Sequence, residues 1–138
     1  MATVTTQHAV PAQMIADETR PFLVGLHYDT ADPLAVRVVF PAEAALDGVE
    51  TSWFFARELL AAGVDRPTGT GAVRLWPRGE GTVFLELQAP EGVAVVDLSA
   101  VAVREFLRET YALLPTEAEA ATSEVGIERE LAELLHRS

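Results

Sequence analysis

The serine and histidine side chains are the groups of this sequence that could carry nucleophilic catalysis or bind zinc. A hydrolase triad needs a serine, a histidine and an acid in one pocket, but no serine lies in a G-x-S-x-G turn. Ser99 and Ser123 instead precede helical patterns, where serine is a preferred cap. The histidines are far apart and lack the i, i+4 pairing of a helical zinc site; they are His8, His27 and His136. The spacing predicts neither a triad nor a metal site.

Two further patterns resemble functional sites only superficially. Asp29 and Asp32 could form a carboxylate pair, but three-residue spacing before a proline is typical of a turn whose backbone the acids cap. The segment 67–71, Pro-Thr-Gly-Thr-Gly, looks like a phosphate loop. It has no lysine and precedes a predicted strand, so no helix N-terminus faces an anion. We therefore predict no enzymatic activity, no cofactor and no bound metal.

Composition limits the class of protein. The chain has 138 residues, of which 49% are hydrophobic, and this predicts one folded domain over 1–138. It has no cysteine, and its formal net charge of −11 disfavours nucleic acid, whose binding depends on lysine and arginine. No apolar run approaches the roughly 18 residues of a membrane span, and the first residues lack the pattern of a signal peptide. We expect a cytoplasmic protein without direct membrane insertion.

Hydrophobic periodicity predicts strands in the first two thirds of the chain. Residues 22–28 and 34–40 alternate with period two and plausibly form a hairpin. An earlier strand within 4–15 would contain Pro11, which indicates an edge position or a bulge. A short helix over 56–62 should end at Gly63. Further strands are predicted over 49–55, 72–77, 82–88 and 93–98.

The last third of the chain has helical periodicity. Ser99 should cap a helix whose buried face carries Val103, Phe106, Leu107 and Thr110 and which stops before Pro115. A final helix has an apolar stripe that could pack on the domain's own sheet or on a neighbouring copy; it comprises Ile127, Leu131, Leu134 and Leu135. The predicted fold class is α+β, with two antiparallel β-meanders of about seven strands separated by a short helix, and two C-terminal helices.

Three segments resemble the SsgA-like proteins of actinomycetes. LHYDTADPLAV over 26–36 is similar to the family's LRYDTADPYAV, and WFFARELLAAG over 53–63 is similar to WVFARDLLAEG. The most specific segment is RPTGTGAVRLWP over 66–77, which is similar to RPTGTGDVRVWP. Order and spacing also agree, and the resemblance extends over about 20–138. Within the family, it favours the SsgB-like branch.

The resemblance implies a function that composition could not. Members of this family act in sporulation-specific cell division and septum-site selection, where they recruit or position the tubulin-like protein FtsZ at future septa. The implied fold is a pair of antiparallel sheets with helices, assembled as a homo-trimer and similar to the Whirly-type fold. The alternative function is single-stranded nucleic-acid binding of Whirly type, which the acidic charge opposes.

The candidate partner-binding residues lie in the one basic stretch of the chain. Residues 57–78 carry a net charge of +2, whereas the remainder sums to −13. Arginine suits bidentate contacts with carboxylates of a partner, and the predicted set is Arg57, Arg66, Thr68, Thr70, Arg74 and Arg78. The alternative is that Arg57 and Arg74 form intramolecular pairs or cover the sheet with their aliphatic stems.

Overall fold

The strands and helices follow the predicted order. A computed structural model describes residues 4–15, 17–44, 48–90 and 92–115, without the side chains of 17–19. The strands are β1 (Thr5–Met14), β2 (Asp17–Asp29), β3 (Ala35–Phe40), β4 (Thr51–Ala56), β5 (Val73–Arg78), β6 (Thr82–Ala89) and β7 (Gly92–Ser99). The α-helices are α1 (Arg57–Gly63) and α2 (Ala100–Leu113), and a 3-10 turn covers Ala42–Ala44.

The strands form one antiparallel sheet in the order β4-β3-β2-β1-β7-β6-β5. The two predicted meanders are present, as β1 to β4 and as β5 to β7, with α1 between them. They are joined because β1 pairs with β7, Ala12 opposite Leu98 and Met14 opposite Val96. The pair of separate sheets that the resemblance implied is therefore wrong for the described residues, which build a single sheet.

Pro11 lies inside this sheet, which differs from its predicted edge position. β1 has β2 on one side and β7 on the other, so it is an interior strand. Pro11 pairs with Leu23 of β2 and precedes the segment Ala12–Met14 that pairs with β7. Its missing N–H therefore costs no bond to β7. The predicted irregularity is present as a register shift between Ala12 and Met14.

The inward face of the sheet follows the period-two alternation. Phe22, Val24, Leu26 and Tyr28 of β2 are all buried, as are Val36, Val38 and Phe40 of β3. The hairpin between them is confirmed by the register, in which His27 lies opposite Arg37. Leu34 is the exception to the predicted face, because it lies in the turn before β3 and is 59% exposed.

Both helices pack on the inward face. Ser99 caps α2 by accepting the N–H of Ala102 at 3.3 Å, and the predicted buried face of α2 is confirmed. α2 lies against β1, β7 and β6. α1 contacts both β4 and β5, the two outermost strands, so the sheet must curve, as half of a barrel does.

The position of α1 is fixed by a close contact with β5. The Cα of Gly63 lies so near Leu75 of β5 that a Cβ at this position would overlap the Leu75 side chain.

No helix among the described residues is long and apolar enough to cross a membrane. The predicted final helix, with Ile127, Leu131, Leu134 and Leu135, lies outside the described residues.

Candidate partner-binding surface

Arg57 is buried in the protein, so it does not belong to the exposed partner-binding surface that the sequence had suggested. Only 4% of it is exposed. Its Nη1 donates to the carbonyl oxygens of Thr110 (3.1 Å) and Leu114 (2.7 Å), and its Nη2 donates to that of Pro115 (3.2 Å). The guanidinium also lies 4.1 Å from the Tyr111 ring centroid. The intramolecular alternative is therefore the one that applies to Arg57.

The burial of Arg57 has a clear physical reason. The last carbonyl groups of a helix have no partner within the helix, and a cation at this end also complements the helix dipole. Arg57 is the first residue of α1, directly after β4, and this position brings its guanidinium to the C-terminus of α2. The Arg57 Cζ atom also lies 5.0 Å from the centroid of the Tyr28 ring. The Tyr28 hydroxyl donates to the Pro33 carbonyl oxygen at 3.0 Å.

Arg74 and Arg78 share the outer face of β5 with Trp76. The strand alternates, so the intervening Leu75 is fully buried while the two arginines are exposed. Trp76 meets Phe84 of β6 edge-to-face, with ring centroids 5.8 Å apart. The Arg78 guanidinium lies 5.7 Å from the Phe84 ring centroid. We call these four residues, Arg74, Trp76, Arg78 and Phe84, the arginine–aromatic surface.

The two arginines of this surface differ in how far their charge is balanced. Arg74 Nε lies 3.8 Å from Glu86 Oε1, and such an exposed pair contributes about 0–1 kcal/mol. Arg78 has no acidic partner within 4 Å among the described residues. Arg78 is therefore the cation of this surface that is more available to a carboxylate of another molecule.

The neighbouring loop is held against the free side of β5 by Thr68. The backbone N–H of Thr68 donates to the Leu75 carbonyl at 2.8 Å, and the Leu75 N–H donates to the Thr68 carbonyl at 2.9 Å. The Thr68 hydroxyl donates to the carbonyl of Arg66 at 2.9 Å. Gly69 has a φ of 100° and lies against the Val73 carbonyl, so a side chain is excluded there. Thr68 therefore shapes the loop.

The structure brings five of the six predicted residues, all except the buried Arg57, to β5 and the loop beside it. Arg74 and Arg78 share the outer face of β5, while Arg66 and Thr70 are exposed on the loop that Thr68 fixes beside it. The sequence-based prediction missed Trp76 and Phe84. The period-two spacing of Trp76 between two arginines was a usable signal, but its contact with Phe84 depends on the pairing of β5 with β6.

A second region, formed by β1 to β4, brings together His27, Asp29 and Asp32 of the groups considered in the sequence. A depression of about 440 Å³ is lined by residues that include His27, Asp29, Asp32 and Arg37. The Asp29 carboxylate accepts the Ala31 N–H at 2.8 Å, which confirms that it caps the turn. Burial lowers the pKa of His27 below its ordinary value of 6.5; Arg37 lowers it further and Glu50 opposes the shift. The described residues contain no cluster of three or more potential metal ligands.

Comparison with known proteins places the chain in a family. A family model described as Streptomyces sporulation and cell division protein, SsgA, matches residues 22–119. Sporulation-specific cell division protein SsgB of Streptomyces coelicolor is 47% identical over 103 residues, which cover 72% of this chain and 73% of that protein. SsgB of Salinispora tropica is 43% identical over 118 residues, 81% of each chain.

Solved structures agree with this relationship. A structure of SsgB, described with mutations that correlate to longitudinal cell division during sporulation of Streptomyces coelicolor, matches with a TM-score of 0.73 and 35% identity, over 86% of this chain and 95% of that one. A crystal structure of an SsgA-like sporulation-specific cell division protein from Thermobifida fusca matches with a TM-score of 0.67 and 34% identity, over 97% and 96%. The chain belongs to the SsgA family of sporulation and cell division proteins.

Proposed function

We propose that this protein is a non-enzymatic regulator of sporulation-specific cell division that recruits or positions FtsZ at future division septa. Membership of the SsgA family supports the cellular role. The arginine–aromatic surface is the observation that supports a protein-binding mechanism, because arginine and tryptophan are the residues most enriched among those that dominate binding energy. The surface places both types side by side in an acidic chain.

Electrostatics favours a local contact of this kind. The chain carries a formal net charge of −11, and we expect FtsZ to be acidic as well, so that the two proteins repel each other at long range. Binding then requires local complementarity or apolar burial. Arg78, Arg66 and the Trp76 ring can provide both, since guanidinium groups pair with carboxylates and the ring buries apolar area.

Co-sedimentation with polymerised FtsZ tests this mechanism. The variants Arg78→Glu and Arg66→Glu should each weaken binding by about tenfold, which corresponds to 1.4 kcal/mol, and added salt should weaken wild-type binding by screening. Arg108→Glu on α2 is the matched control, since Arg108 is exposed and lies outside the surface; it should bind as the wild type does.

Two results would contradict this mechanism. Salt could strengthen wild-type binding, or both charge reversals at Arg78 and Arg66 could leave it unchanged while the proteins keep their melting temperatures. Either result would show that the contact with FtsZ is apolar or lies elsewhere. Absence of any wild-type co-sedimentation would reject direct FtsZ binding itself.

We also propose a homo-trimer, which would place several copies of the surface in one assembly. The support is the family likeness together with the apolar stripe of Ile127, Leu131, Leu134 and Leu135. Light scattering after size exclusion should give three times the chain mass of 14.9 kDa. A monomer at micromolar concentration would reject this assembly.

Single-stranded nucleic-acid binding is the second candidate function. Arginines beside aromatic rings also suit base stacking, and Trp76 and Phe84 provide such rings. The net charge of −11 opposes it. Fluorescence anisotropy with single-stranded DNA and RNA at physiological salt should show negligible binding, and submicromolar affinity would make this function the better one.

A further inference from the structure

The two edges of the sheet are protected to different degrees. Sheet edges expose unpaired N–H and C=O groups, and proteins normally cover them or place charges and prolines on them. β5 carries both devices, because Thr68 bonds to Leu75 and the strand contains Arg74, Pro77 and Arg78. At the opposite edge, β4 has β3 as its only partner strand within the described part of the chain.

The hydrogen-bond pattern shows which groups of β4 face outward. The N–H of Arg57 donates to the Leu34 carbonyl at 2.9 Å, and the β3–β4 register continues without a shift. In an antiparallel pair, bonded and non-bonded positions alternate. Residues 51, 53, 55 and 57 therefore bond to β3, while Ser52, Phe54 and Ala56 direct their N–H and C=O groups away from it.

The side chains of β4 add to this exposure. The strand Thr51–Ala56 reads Thr-Ser-Trp-Phe-Phe-Ala and contains no charged residue and no proline. Phe54 is 64% exposed, the most exposed large apolar side chain among the described residues. β4 thus presents free backbone groups beside an exposed aromatic ring, which are the two features that an added β-strand uses for affinity and specificity.

The charges on either side of β4 indicate which type of added strand fits this edge. Exposed Glu50 and Glu58 lie on either side of β4. Glu50 directly precedes β4 and Glu58 is the second residue of α1. Two copies paired along this edge would bring these glutamates of both chains together, and each chain carries −11. This accumulation of like charge opposes pairing between two copies. A segment with basic residues at both ends would instead complement the two glutamates.

We propose that the open edge of β4 accepts, as an additional strand, an extended apolar segment of another protein that is flanked by lysine or arginine. The N–H and C=O groups of Ser52 and Phe54 and the N–H of Ala56 supply the hydrogen bonds; the Ala56 carbonyl is not included, because Ala56 is the N-cap of α1 and its carbonyl accepts the first bond of the helix. Phe54 packs against alternate side chains of the bound segment, and Glu50 and Glu58 contact its basic ends. β4 and the strands of the arginine–aromatic surface lie at opposite ends of the sheet order, so this site and the proposed FtsZ contact share no residue.

A synthetic peptide tests the proposal directly. The probe is a fluorescein-labelled peptide with an alternating valine–threonine centre and two lysines at each end, and its binding to the full chain is followed by anisotropy. A peptide of the same composition interrupted by a central proline should not bind, since it cannot pair along the edge. A peptide with glutamates at its ends should bind more weakly because Glu50 and Glu58 repel it.

Variants of β4 then locate the site. Ser52→Pro removes an outward N–H without removing a bond to β3 and should raise the peptide Kd by about tenfold, the effect of one lost hydrogen bond and a blocked edge. Phe54→Lys should weaken binding at least as much, through charge and lost packing. Val101→Lys on α2 is the matched control, because Val101 is 61% exposed and lies away from this edge.

The outcomes separate this proposal from its rivals. Wild-type protein that does not bind the lysine-flanked peptide, or that binds the proline-interrupted peptide equally well, overturns it. If Ser52→Pro does not fold, Phe54→Lys decides, and unchanged peptide affinity in that variant also overturns the proposal. A loss of oligomer in light scattering on Phe54→Lys, without any peptide binding by the wild type, would show that the edge is covered by a second copy.

Discussion

Replacing Arg57 with methionine should destabilise the protein strongly, although arginine is normally a surface residue. Methionine keeps an unbranched aliphatic stem and removes the guanidinium. The loss includes one buried hydrogen bond to the Thr110 carbonyl and two part-buried bonds, to Leu114 and Pro115. It also includes the contact with the Tyr111 ring at 4.1 Å.

The expected loss in the free energy of unfolding follows from these contacts. A hydrogen bond from a charged group contributes roughly 1.5–3 kcal/mol, and a ring contact of a desolvated guanidinium contributes up to about 2 kcal/mol. Water can replace part of the bonding at Leu114 and Pro115, and Thr110 keeps a second donor in the Leu114 N–H at 2.9 Å. The variant also avoids the desolvation of the buried guanidinium. We expect a net loss of about 3 kcal/mol.

Urea unfolding and thermal melting measure this effect. For a chain of this length, about 3 kcal/mol corresponds to a fall in Tm of roughly 10 °C. Arg57→Lys should lose part of the stability, since one ammonium cannot span three carbonyl groups in fixed geometry. Arg78→Met is the matched control, because Arg78 is exposed, and it should stay within about 0.5 kcal/mol of the wild type.

A small loss of stability in Arg57→Met would refute the stabilising role of Arg57. If Arg57→Met costs less than about 1 kcal/mol, desolvation of the guanidinium cancels its hydrogen bonds, and Arg57 does not stabilise the end of α2. Equal losses for Arg57→Met and Arg78→Met would show that the change reflects net charge instead of the buried contacts.

Three further perturbations test other parts of the fold. Gly63→Ala should lower the free energy of unfolding by about 2 kcal/mol in urea, because its Cβ would overlap Leu75; a gain from helix propensity would contradict this. Ser99→Ala should cost about 1 kcal/mol by removing the bond from the Ala102 N–H, and an unchanged midpoint would contradict it. The pKa of His27 is lowered in the folded state, so stability should fall as pH drops below about 6.5; His27→Gln should reduce this dependence, and an upward-shifted NMR titration would contradict the sign.

Local patterns in the sequence were sufficient for much of the fold. Alternation in β2 and β3 predicted both the strands and the buried face, because a side-chain period of two places every second residue on the same side. Ser99 marked a helix start for an equally local reason, its cap bond. Gly63 is the last residue of α1, as its position in the sequence indicated, but its glycine is required by the tertiary contact with Leu75 and not by a positive φ. The family-specific segments predicted membership of the SsgA family, which the comparisons confirm.

The candidate surface was predictable only in part. The sequence predicted Arg74 and Arg78 as members of one basic stretch but placed Arg78 after the predicted strand 72–77. Their shared face follows from β5 extending to Arg78, because residues four positions apart on a strand lie on the same side. The role of Arg57 was not predictable, since its partners, Thr110, Leu114 and Pro115, are more than fifty residues away in the chain. The same basic residue type is exposed in one place and buried in another, and only the long-range contacts distinguish them.

The sequence by itself determined the local elements, their inward faces, the acidic balance and the family. The tertiary structure alone decided that β1 pairs with β7 and so joins two meanders into one sheet. It also decided that Thr68 covers one edge, while β4 has β3 as its only partner strand among the residues that the structure describes. The physical reason is that periodicity records which side of an element is buried, whereas strand pairing and the burial of Arg57 depend on groups that folding brings together from distant positions.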